Sequence, residues 1–509
     1  LETDVYKAVG LIESDEVEVD EEETTEIEDE SAEETKNKKK FNFLNYFFII
    51  CYVKTSIHLE NRIKAKPSRN GLKYHIKTFG CQMNEHDSEK IAGIFNNDGM
   101  SKSEDLDNAD VLFVNTCTIR ENADDKLYGT LGQLKKWKSL SSNRRLLVGG
   151  CAAQKDKELV RERAPWVDVV IGTHNTSDII NLLNQAEDWG PITEIAEESK
   201  DIETEIAAVR ESSVSAFVTI QIGCNNSCTF CIVPSVRGVE ISRRPSDIIN
   251  EIKSLAHDGV KEITLLGQNV NSYGRDLMIN DKRKPYFTEL LYKIHEIDGI
   301  QRIRFTSPHP KDFKIETLKA VAELPKVANQ IHIPLQSGSN KILSAMHRGY
   351  NQKRFLEKID LIKSLIPNVS ISSDIIVGFP GENHEDFNQT MEVVNYSEFD
   401  LIYMFKFSPR PGTVASNYVH DFVSKENIDD RFMRLKDRQT EISGKRYKRF
   451  ENTSQTMLVE KVSKKDNQIL TGRIEGGHIV HLKSSTENIG RLLNVKIHDS
   501  TPFFLKATP

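Results

Sequence analysis

Three closely spaced cysteines are the first residues of this chain whose type and spacing could do chemistry. Cys224, Cys228 and Cys231 form a C-x3-C-x2-C pattern, GCNNSCTFC, directly after a predicted strand. Three thiolates on one tight loop can hold three irons of a four-iron, four-sulfur cube and leave the fourth iron open. A zinc site is the alternative, but it would normally need a fourth close ligand or a catalytic opening. No other cysteine or histidine lies within twenty residues on either side, so the pattern favours an iron–sulfur cluster.

A second trio of cysteines is spread along the preceding part of the chain. Cys81, Cys117 and Cys151 are spaced 36 and 34 residues apart. Each follows one of three short β-branched runs, at 73–79, 110–115 and 145–149. Groups just past the carboxyl ends of parallel strands converge in one crevice. We therefore predict a second three-thiolate site, with buried structural cysteines as the alternative.

The elements that position these cysteines are predicted from two stretches of strand–helix alternation. In the first, the three runs above and 167–171 alternate with helical patterns, which predicts a parallel sheet. The second stretch predicts six βα units and a partial TIM-type barrel. Its predicted strands lie at 214–222, 262–266, 302–306, 330–335, 369–377 and 401–407. The short strands over 456–505 predict a small β-barrel, so the fold class is α/β with a carboxyl-terminal β-barrel.

Polar residues and glycines follow the predicted barrel strands, where a barrel enzyme places its working groups. Amides and hydroxyls there could bind a ribose or an amino-carboxylate, and glycines let backbone approach a ligand closely. The candidates are Gly267, Gln268, Ser372, Ser373, Asp374, Gly378, Gly381 and Glu382. Arg237 could approach the same ligand or a nucleic acid, whereas structural roles are expected for His309 and His332.

Charge is distributed unevenly along the 509 residues. Lys and Arg total 68 against 76 Asp and Glu, but residues 1–40 alone hold 16 acidic and 5 basic residues. We therefore expect 1–72 to be an acidic, disordered extension. The apolar run at 41–53 is too short to cross a membrane, so no membrane association is predicted. Residues 431–509 carry 16 basic against 8 acidic residues, as a domain that meets phosphates would need.

Nine motifs in this order resemble the methylthiotransferases of the radical S-adenosylmethionine (SAM) superfamily. They are TFGCQMNEHDSE, VNTCTIRENA, VGGCAAQ, IGCNNSCTFCIVPSVRGVEISR, LLGQNVNSYG, RIRFTSPHPKDF, PLQSGS, SSDIIVGFPGE and SPRPGT. The resemblance implies an amino-terminal methylthiotransferase domain (73–187), a linker (188–213), a radical SAM barrel with a basic helix (214–448) and a TRAM-like RNA-binding domain (449–509). The motifs at 80–84, 118–120 and 266–270 resemble the branch that acts on isopentenyladenosine in tRNA.

The resemblance implies a radical reaction with two [4Fe-4S] clusters and two SAM molecules. Cys224, Cys228 and Cys231 would hold the cluster that cleaves SAM, and Cys81, Cys117 and Cys151 an auxiliary cluster. A methylthio group would be transferred to carbon 2 of isopentenyladenosine at position 37 of tRNA. The eight glycine and polar candidates above would contact SAM. No catalytic residue beyond the cluster ligands is implied.

The implied partners are tRNA carrying isopentenyladenosine, an electron donor such as flavodoxin or ferredoxin, and a sulfur source. We expect a monomer in the cytoplasm. The tRNA phosphates would meet the basic helix predicted at 431–450, through Arg431, Arg434, Lys436, Arg438, Lys445, Arg446, Lys448 and Arg449. Two alternatives stay open: a methylthiotransferase for threonylcarbamoyladenosine tRNA or a ribosomal protein, and a zinc-bearing RNA-binding protein without radical activity.

Overall fold

The amino-terminal boundary of the folded chain lies earlier than the sequence predicts. A computed structural model describes residues 69–118, 123–198, 208–210, 212–279 and 281–509. The extension predicted over 1–72 lies outside these residues except for its last four. Of these, Arg69 is buried, and its guanidinium lies 2.8 Å from Asp98 Oδ2 and 3.1 Å from Glu187 Oε2. Arg69 therefore belongs to the folded amino-terminal domain.

A six-stranded, wholly parallel sheet forms the amino-terminal domain, with strand order β2-β1-β3-β4-β5-β6. The strands are β1 (Lys73–Thr78), β2 (Ser101–Lys102), β3 (Val111–Thr116), β4 (Arg145–Gly150), β5 (Val169–Ile171) and β6 (Ile192–Glu194). The helices are α1 (Gln82–Asn97), α2 (Ala123–Ser139), α3 (Cys151–Asp156), α4 (Leu159–Arg163) and α5 (Ile179–Trp189). The linker predicted over 188–213 starts later than expected, because β6 pairs with β5 and extends the sheet.

Six parallel strands also form the central domain, as the sequence predicts for a partial barrel. The six parallel strands are β7 (Ser215–Thr219), β10 (Glu262–Leu266), β11 (Arg302–Phe305), β12 (Gln330–His332), β13 (Ser370–Val377) and β14 (Leu401–Lys406). A short antiparallel hairpin, β8 (Gln221–Ile222) and β9 (Ile241–Ser242), follows β7. β11-β10-β7 and β12-β13-β14 are the two paired groups, and a parallel bridge between Ile303 and Val327 joins them. The helices are α6 (Val233–Arg237), α7 (Pro245–His257), α8 (Phe287–His295), α9 (Ile315–Glu323), α10 (Asn340–Ala345), α11 (Gln352–Leu365), α12 (His384–Ser397) and α13 (Lys425–Lys448). Short 3-10 helices cover Leu106–Asn108, Thr176–Asp178, Val270–Ser272, Val414–Asn417, Val419–Asp421 and Thr486–Asn488.

The two faces of each barrel strand differ in chemistry. Ile263, Ile303 and Ile371 are buried and pack with the surrounding helices in one large apolar core. Successive side chains of a strand point to opposite faces, so their neighbours, such as Glu262 and Arg304, project to the other face. That face is polar, which leaves charged and hydrogen-bonding groups inside the barrel.

The carboxyl-terminal domain is a closed five-stranded barrel, as predicted, with order β15-β16-β17-β19-β18. Its strands are β15 (Ser454–Val462), β16 (Ile469–Ile474), β17 (Ile479–Lys483), β18 (Leu492–Ser500) and β19 (Leu505–Thr508). The domain docks at the amino ends of the central strands. There Glu262, which is fully buried, accepts from Arg304 at 3.0 Å and from Arg473 of β16 at 3.1 Å. Arg302 and Arg304 also donate to backbone carbonyls of the small barrel.

Within the part of the chain that the structure describes, no helix combines the length and the apolar composition that crossing a bilayer requires.

Candidate functional site

The loop of Cys224, Cys228 and Cys231 lies between the two strands of the β8–β9 hairpin, just past the carboxyl end of β7. Gly223 begins it with a φ of +75°, and a Cβ there would lie 1.9 Å from the Val239 carbonyl oxygen. Only glycine fits such a position. The loop is closed by hydrogen bonds from Cys224 N to the carbonyl of residue 238 and from Cys231 N to Cys228 O. The three thiols are thus presented from one fixed turn at the mouth of the barrel.

Hydrogen-bond donors surround the sulfurs of this first trio. Arg348 Nη1 lies 3.2 Å from Cys228 Sγ, and both the backbone N and Nδ2 of Asn226 lie 3.5 Å from Cys224 Sγ. Burial raises the pKa of Cys231 to about 12 and also raises that of Cys224. Buried thiols of this kind become thiolates when a metal coordinates them. The donor set therefore suits a metal cluster, and Arg348 and Asn226 would stabilise negative charge on the sulfurs.

The second trio lies where the parallel-strand rule predicts it. Cys81, Cys117 and Cys151 directly follow or closely follow β1, β3 and β4, which are adjacent in the sheet. Gly80, with a φ of +136°, brings two of them together, since a Cβ on it would lie 2.7 Å from Cys117 Cβ. The six cysteines of the two trios are thiols rather than disulfides.

The protonation of the second trio is uneven. A hydrogen bond from the Cys117 thiol, with backbone N–H groups at the start of α1 and the charge of Arg237, lowers the pKa of Cys81 to about 6 against the effect of burial. Burial raises the pKa of Cys151, and the charge of Arg237, which also hydrogen-bonds this thiol, opposes the rise. Cys81 is thus available as a thiolate near neutral pH, and the guanidinium of Arg237 lies close to both Cys81 and Cys151.

A buried amide network, which the sequence did not reveal, supports this trio. Asn84 Nδ2 donates to Thr116 O at 2.7 Å and to Asn115 Oδ1 at 3.1 Å, and Asn115 Nδ2 donates to Ser88 Oγ at 2.9 Å. Asn84 also accepts from the Cys81 thiol at 3.5 Å. Buried polar groups that are fully bonded fix one arrangement of the loops that carry them. The available signal was that Asn84 lies three residues after Cys81, one turn along α1.

Arg237 joins the two trios. It ends α6, six residues after Cys231, and its Nη2 donates to Asp87 Oδ2 at 2.6 Å and to Asn84 Oδ1 at 3.3 Å in the amino-terminal domain. Ile232, the residue after Cys231, packs in one apolar cluster with Cys151 and Val236. The sequence left Arg237 between a SAM and a nucleic-acid contact, whereas the structure places it beside the second cysteine trio.

Among the described residues, no group of three or more His, Cys, Asp or Glu side chains is placed to hold a single metal ion. A single ion needs every ligand within about 2.3 Å of one point. A four-iron, four-sulfur cube does not have this requirement, because each thiolate binds a different iron.

Gly267 and Gln268 follow β10 near the cysteine loop. A Cβ on Gly267 would lie 3.2 Å from Val270 Cγ1 and 3.6 Å from Gln221 Cβ, so the backbone there packs closely. Gln268 Oε1, Gln221 Oε1 and both amide atoms of Asn271 are buried without a hydrogen-bond partner in the described part of the chain. Buried polar atoms are normally bonded, so this group suits a polar ligand. The sequence did not single out Asn271 or Gln221.

The three consecutive candidates on β13 do not face the same way. Ser372 Oγ and Asp374 Oδ2 lie 3.0 Å and 3.3 Å from the two ring nitrogens of His332 on β12, inside the barrel. Ser373 is fully buried on the opposite face, where its hydroxyl bonds to backbone groups just after β12. The pleat of the strand explains this division, and His332 joins the polar interior group.

The loop Gly378–Glu382 is held from outside by α13. Gly378 has a φ of +75° and packs against Ile428, since a Cβ on it would lie 2.3 Å from Ile428 Cγ1. Glu382 accepts from Gly378 N at 2.9 Å and from Arg431 Nη1 at 2.9 Å. Burial raises the pKa of Glu382 to about 7, although Arg431 opposes the shift. Around Gly381, with a φ of +78°, a Cβ would meet no atom within 4 Å.

Three of the eight cations predicted to meet tRNA phosphates are engaged elsewhere. Arg431 is buried against Glu382, and Arg446 and Arg449 lie 3.1 Å and 2.9 Å from the carboxylate of Asp400. They hold α13 on the barrel, because a helix packed on a domain must neutralise charges on its buried side. The others are exposed: Arg434, Lys436, Arg438, Lys445 and Lys448.

Three family models match the chain. They are "Uncharacterized protein family UPF0004" over residues 73–172, "Radical SAM superfamily" over 218–394 and "TRAM domain" over 448–509. In order along the chain, they fall on the first cysteine-bearing sheet, the central barrel and the small closed barrel.

Two relatives illustrate the similarity, and both carry the name tRNA-2-methylthio-N(6)-dimethylallyladenosine synthase. The protein of Corynebacterium urealyticum is 43% identical over 463 residues, which cover 89% of this chain and 86% of that protein. The protein of Clostridium botulinum (strain Okra) is 45% identical over 435 residues, which cover 85% of this chain and 96% of that protein.

A solved structure shares the fold. The radical S-adenosylmethionine methyltransferase TsrM of Kitasatospora setae, with cobalamin and a [4Fe-4S] cluster bound, superposes with a TM-score of 0.51. It is 12% identical, and the match covers 68% of this chain and 77% of that one.

Proposed function

The chain belongs to the tRNA-2-methylthio-N(6)-dimethylallyladenosine synthase family of radical SAM enzymes, and on that premise we propose the reaction that its own residues carry out. It transfers a methylthio group to carbon 2 of isopentenyladenosine at position 37 of tRNA, with two SAM molecules and two [4Fe-4S] clusters. The proposal rests on two contacts that connect the loop of the first cysteine trio with the second trio. Arg237 binds Asp87 and hydrogen-bonds the Cys151 thiol, and Ile232 packs against Cys151. A substrate base at the barrel mouth can therefore meet both.

Carbon 2 of adenine carries no acidic hydrogen, so a radical route suits this substitution better than acid–base chemistry. When bound, a cluster at Cys224, Cys228 and Cys231 supplies an open iron and an electron for SAM cleavage, and one at Cys81, Cys117 and Cys151 supplies the sulfur. Arg348 stabilises the Cys228 sulfur from 3.2 Å. Arg237 does the same for Cys151, and it fixes the distance between the domains through Asp87.

The proposed SAM contacts divide into direct and supporting groups. Gln268, Ser372 and Asp374 present polar atoms towards the barrel interior, and Gly267 and Gly381 let backbone approach the ligand. Ser373, Gly378 and Glu382 act from behind, since their polar atoms are bonded within the protein. Enclosure of SAM in the barrel keeps water and stray hydrogen donors away from the carbon radical.

The tRNA is held by the small barrel and by the exposed cations of α13, of which Lys436 and Lys448 are examples. The target base must be splayed out of the anticodon loop to reach the barrel mouth. A one-electron donor such as flavodoxin or ferredoxin and a sulfur source complete the turnover. We place the reaction in the cytoplasm, where tRNA is modified, and propose a monomer.

Nucleoside mass spectrometry of tRNA tests the proposal. The full chain is expressed in a bacterium that lacks its own enzyme of this family and accumulates isopentenyladenosine. We expect the 2-methylthio derivative to appear, and a Cys231→Ala variant to leave isopentenyladenosine unchanged. Methylthiolation of threonylcarbamoyladenosine, with isopentenyladenosine unchanged, would overturn the assignment.

A further inference from the structure

A cavity of about 300 Å³ opens between α11 and the loop that follows β11. Its walls come from the loop after β11, the loop between α10 and α11, and one face of α11. Lys311, Gly349, Tyr350, Arg354, Phe355 and Lys358 are among the residues that line it. Neither the proposed SAM contacts nor the proposed tRNA contacts use it.

The cavity wall reaches two of the cluster cysteines through single residues. Tyr350 Oη is 3.2 Å from Arg348 Nε, and the other end of Arg348 donates to Cys228 Sγ. Lys311 Nζ donates to Asn226 Oδ1 at 2.9 Å, and Asn226 Nδ2 lies 3.5 Å from Cys224 Sγ. A single side chain, Asn226 or Arg348, therefore separates the lining of the cavity from Cys224 or Cys228.

The cavity is electropositive. Lys311, Arg354 and Lys358 line it against the single carboxylate of Glu357. In the described part of the chain, the Arg354 guanidinium makes no ion pair, and this side chain is exposed. Lys358 is partly buried, with its Nζ 2.5 Å from the Phe313 carbonyl. Such a concave, cationic surface attracts an acidic macromolecule over a distance.

We propose that this cavity is the docking site of a small acidic protein that carries single electrons, an inference that rests on the proposed function. Reductive cleavage of SAM breaks the bond between the sulfonium sulfur and C5′, and gives methionine and a carbon radical. It consumes one electron, so the reduced carrier leaves oxidised by one electron. The barrel mouth is occupied by SAM and the tRNA base during turnover, and the cavity offers a separate approach to the same cysteines.

The cations assigned to tRNA lie elsewhere, which favours a protein occupant. They belong to α13, and α12 packs between α13 and α11. Encounters of electron-transfer proteins bury little area and are steered by opposite charge. A compact cavity ringed by three cations matches that kind of partner better than it matches an extended phosphate backbone.

Oxidised flavodoxin is the binding probe, titrated into the cluster-free chain at several ionic strengths. We expect Arg354→Glu to weaken its affinity roughly tenfold and to flatten the salt dependence. Glu357→Lys should strengthen binding. Lys253→Glu, a reversal of an exposed charge on α7, is the matched control and should change nothing.

The second readout is formation of 5′-deoxyadenosine by reconstituted enzyme. Arg354→Glu should slow the reaction about tenfold with subsaturating reduced flavodoxin, yet leave it within twofold of wild type with dithionite. Equal loss with both reductants, or weakened tRNA binding with unchanged flavodoxin binding, would overturn the docking proposal. Absence of cleavage by the wild type with dithionite would instead contradict the proposed function, while the binding experiment still decides the docking site.

Discussion

The buried pair of Glu382 and Arg431 gives the sharpest stability prediction, because burial already disfavours the charged form of Glu382. The pKa of Glu382 is raised from 4.5 to about 7 by burial, which corresponds to a cost of about 3 kcal/mol for its charged form. Removal of one partner of a buried ion pair typically costs 3–5 kcal/mol, about the cost of an uncompensated charge. We expect Arg431→Met to lose about that much at pH 8, or roughly 6–20 °C in apparent Tm.

The pH dependence follows from the sign of the shift. Since the folded pKa of Glu382 lies above the unfolded one, its contribution to stability falls as pH rises from 4.5 through 7. Without Arg431 the pKa of Glu382 rises further, so the fall continues above pH 7. The difference in Tm between variant and wild type should therefore be larger at pH 8 than at pH 6.

Differential scanning calorimetry of the full chain at both pH values measures this difference. Arg434→Met is the matched control, because Arg434 lies exposed on the same helix, where it contacts Asp430 at 3.6 Å, Asn388 at 3.4 Å and the ring of Phe387. It should cost less than about 1 kcal/mol. The double variant with Glu382→Gln should recover most of the loss and show no such pH dependence. The reasoning fails if Arg431→Met is no worse than the control at pH 8.

Further predictions concern the cysteine trios and the carboxyl-terminal domain. Gly80→Ala, at a φ of +136° and with its Cβ 2.7 Å from Cys117 Cβ, should lower the iron content of reconstituted protein from about eight to about four per chain, whereas the exposed helical Gly129→Ala should not. Cys117→Ala should still form 5′-deoxyadenosine but no methylthio nucleoside by mass spectrometry, and a surviving product would contradict the role of the second trio. The pKa of Asp400 is lowered to about 2, so its contribution is present above 3.8 and lost as pH falls towards 2. Asp400→Asn should therefore make the stability depend less on pH below pH 4, as measured by circular dichroism during acid unfolding. An unchanged pH dependence in that range would contradict the role of the ion pairs of Asp400 with Arg446 and Arg449.

Much of the architecture could be predicted because short β-branched or apolar segments mark the main strands, continuous in β3 and alternating with polar residues in β11. All six barrel strands, and β1, β3, β4 and β5 of the first sheet, lie where the sequence pattern indicates. Ile192–Glu194 escaped because three residues next to a charged stretch carry no pattern of their own, and only pairing with β5 makes them a strand. Ser101–Lys102 was not predicted for the same reason, because two polar residues carry no strand pattern of their own.

The site was predictable where chemistry is local in sequence or set by strand ends, and not elsewhere. The spacing of Cys224, Cys228 and Cys231 indicates their loop directly. Arg348 contacts Cys228 from 120 residues away, and nothing around it in the sequence indicates that this arginine is buried beside the cysteine loop. The pleat also matters, since Ser373 looks equivalent to its neighbours in sequence yet faces the helices.

The position of the small β-barrel limits the routes by which ligands can enter and leave the large barrel. Arg302 and Arg304 reach across the amino ends of the strands to the backbone around Arg473, and Gly477 packs against Gln330. The small β-barrel therefore covers the amino ends of the central strands, opposite the end that carries Cys224, Cys228 and Cys231. Under the proposed function, SAM would enter and its products would leave at the carboxyl ends of the strands, and a bound tRNA would cover this opening. The proposed function therefore implies that SAM binds before the tRNA, and that the tRNA dissociates before the products of SAM cleavage leave.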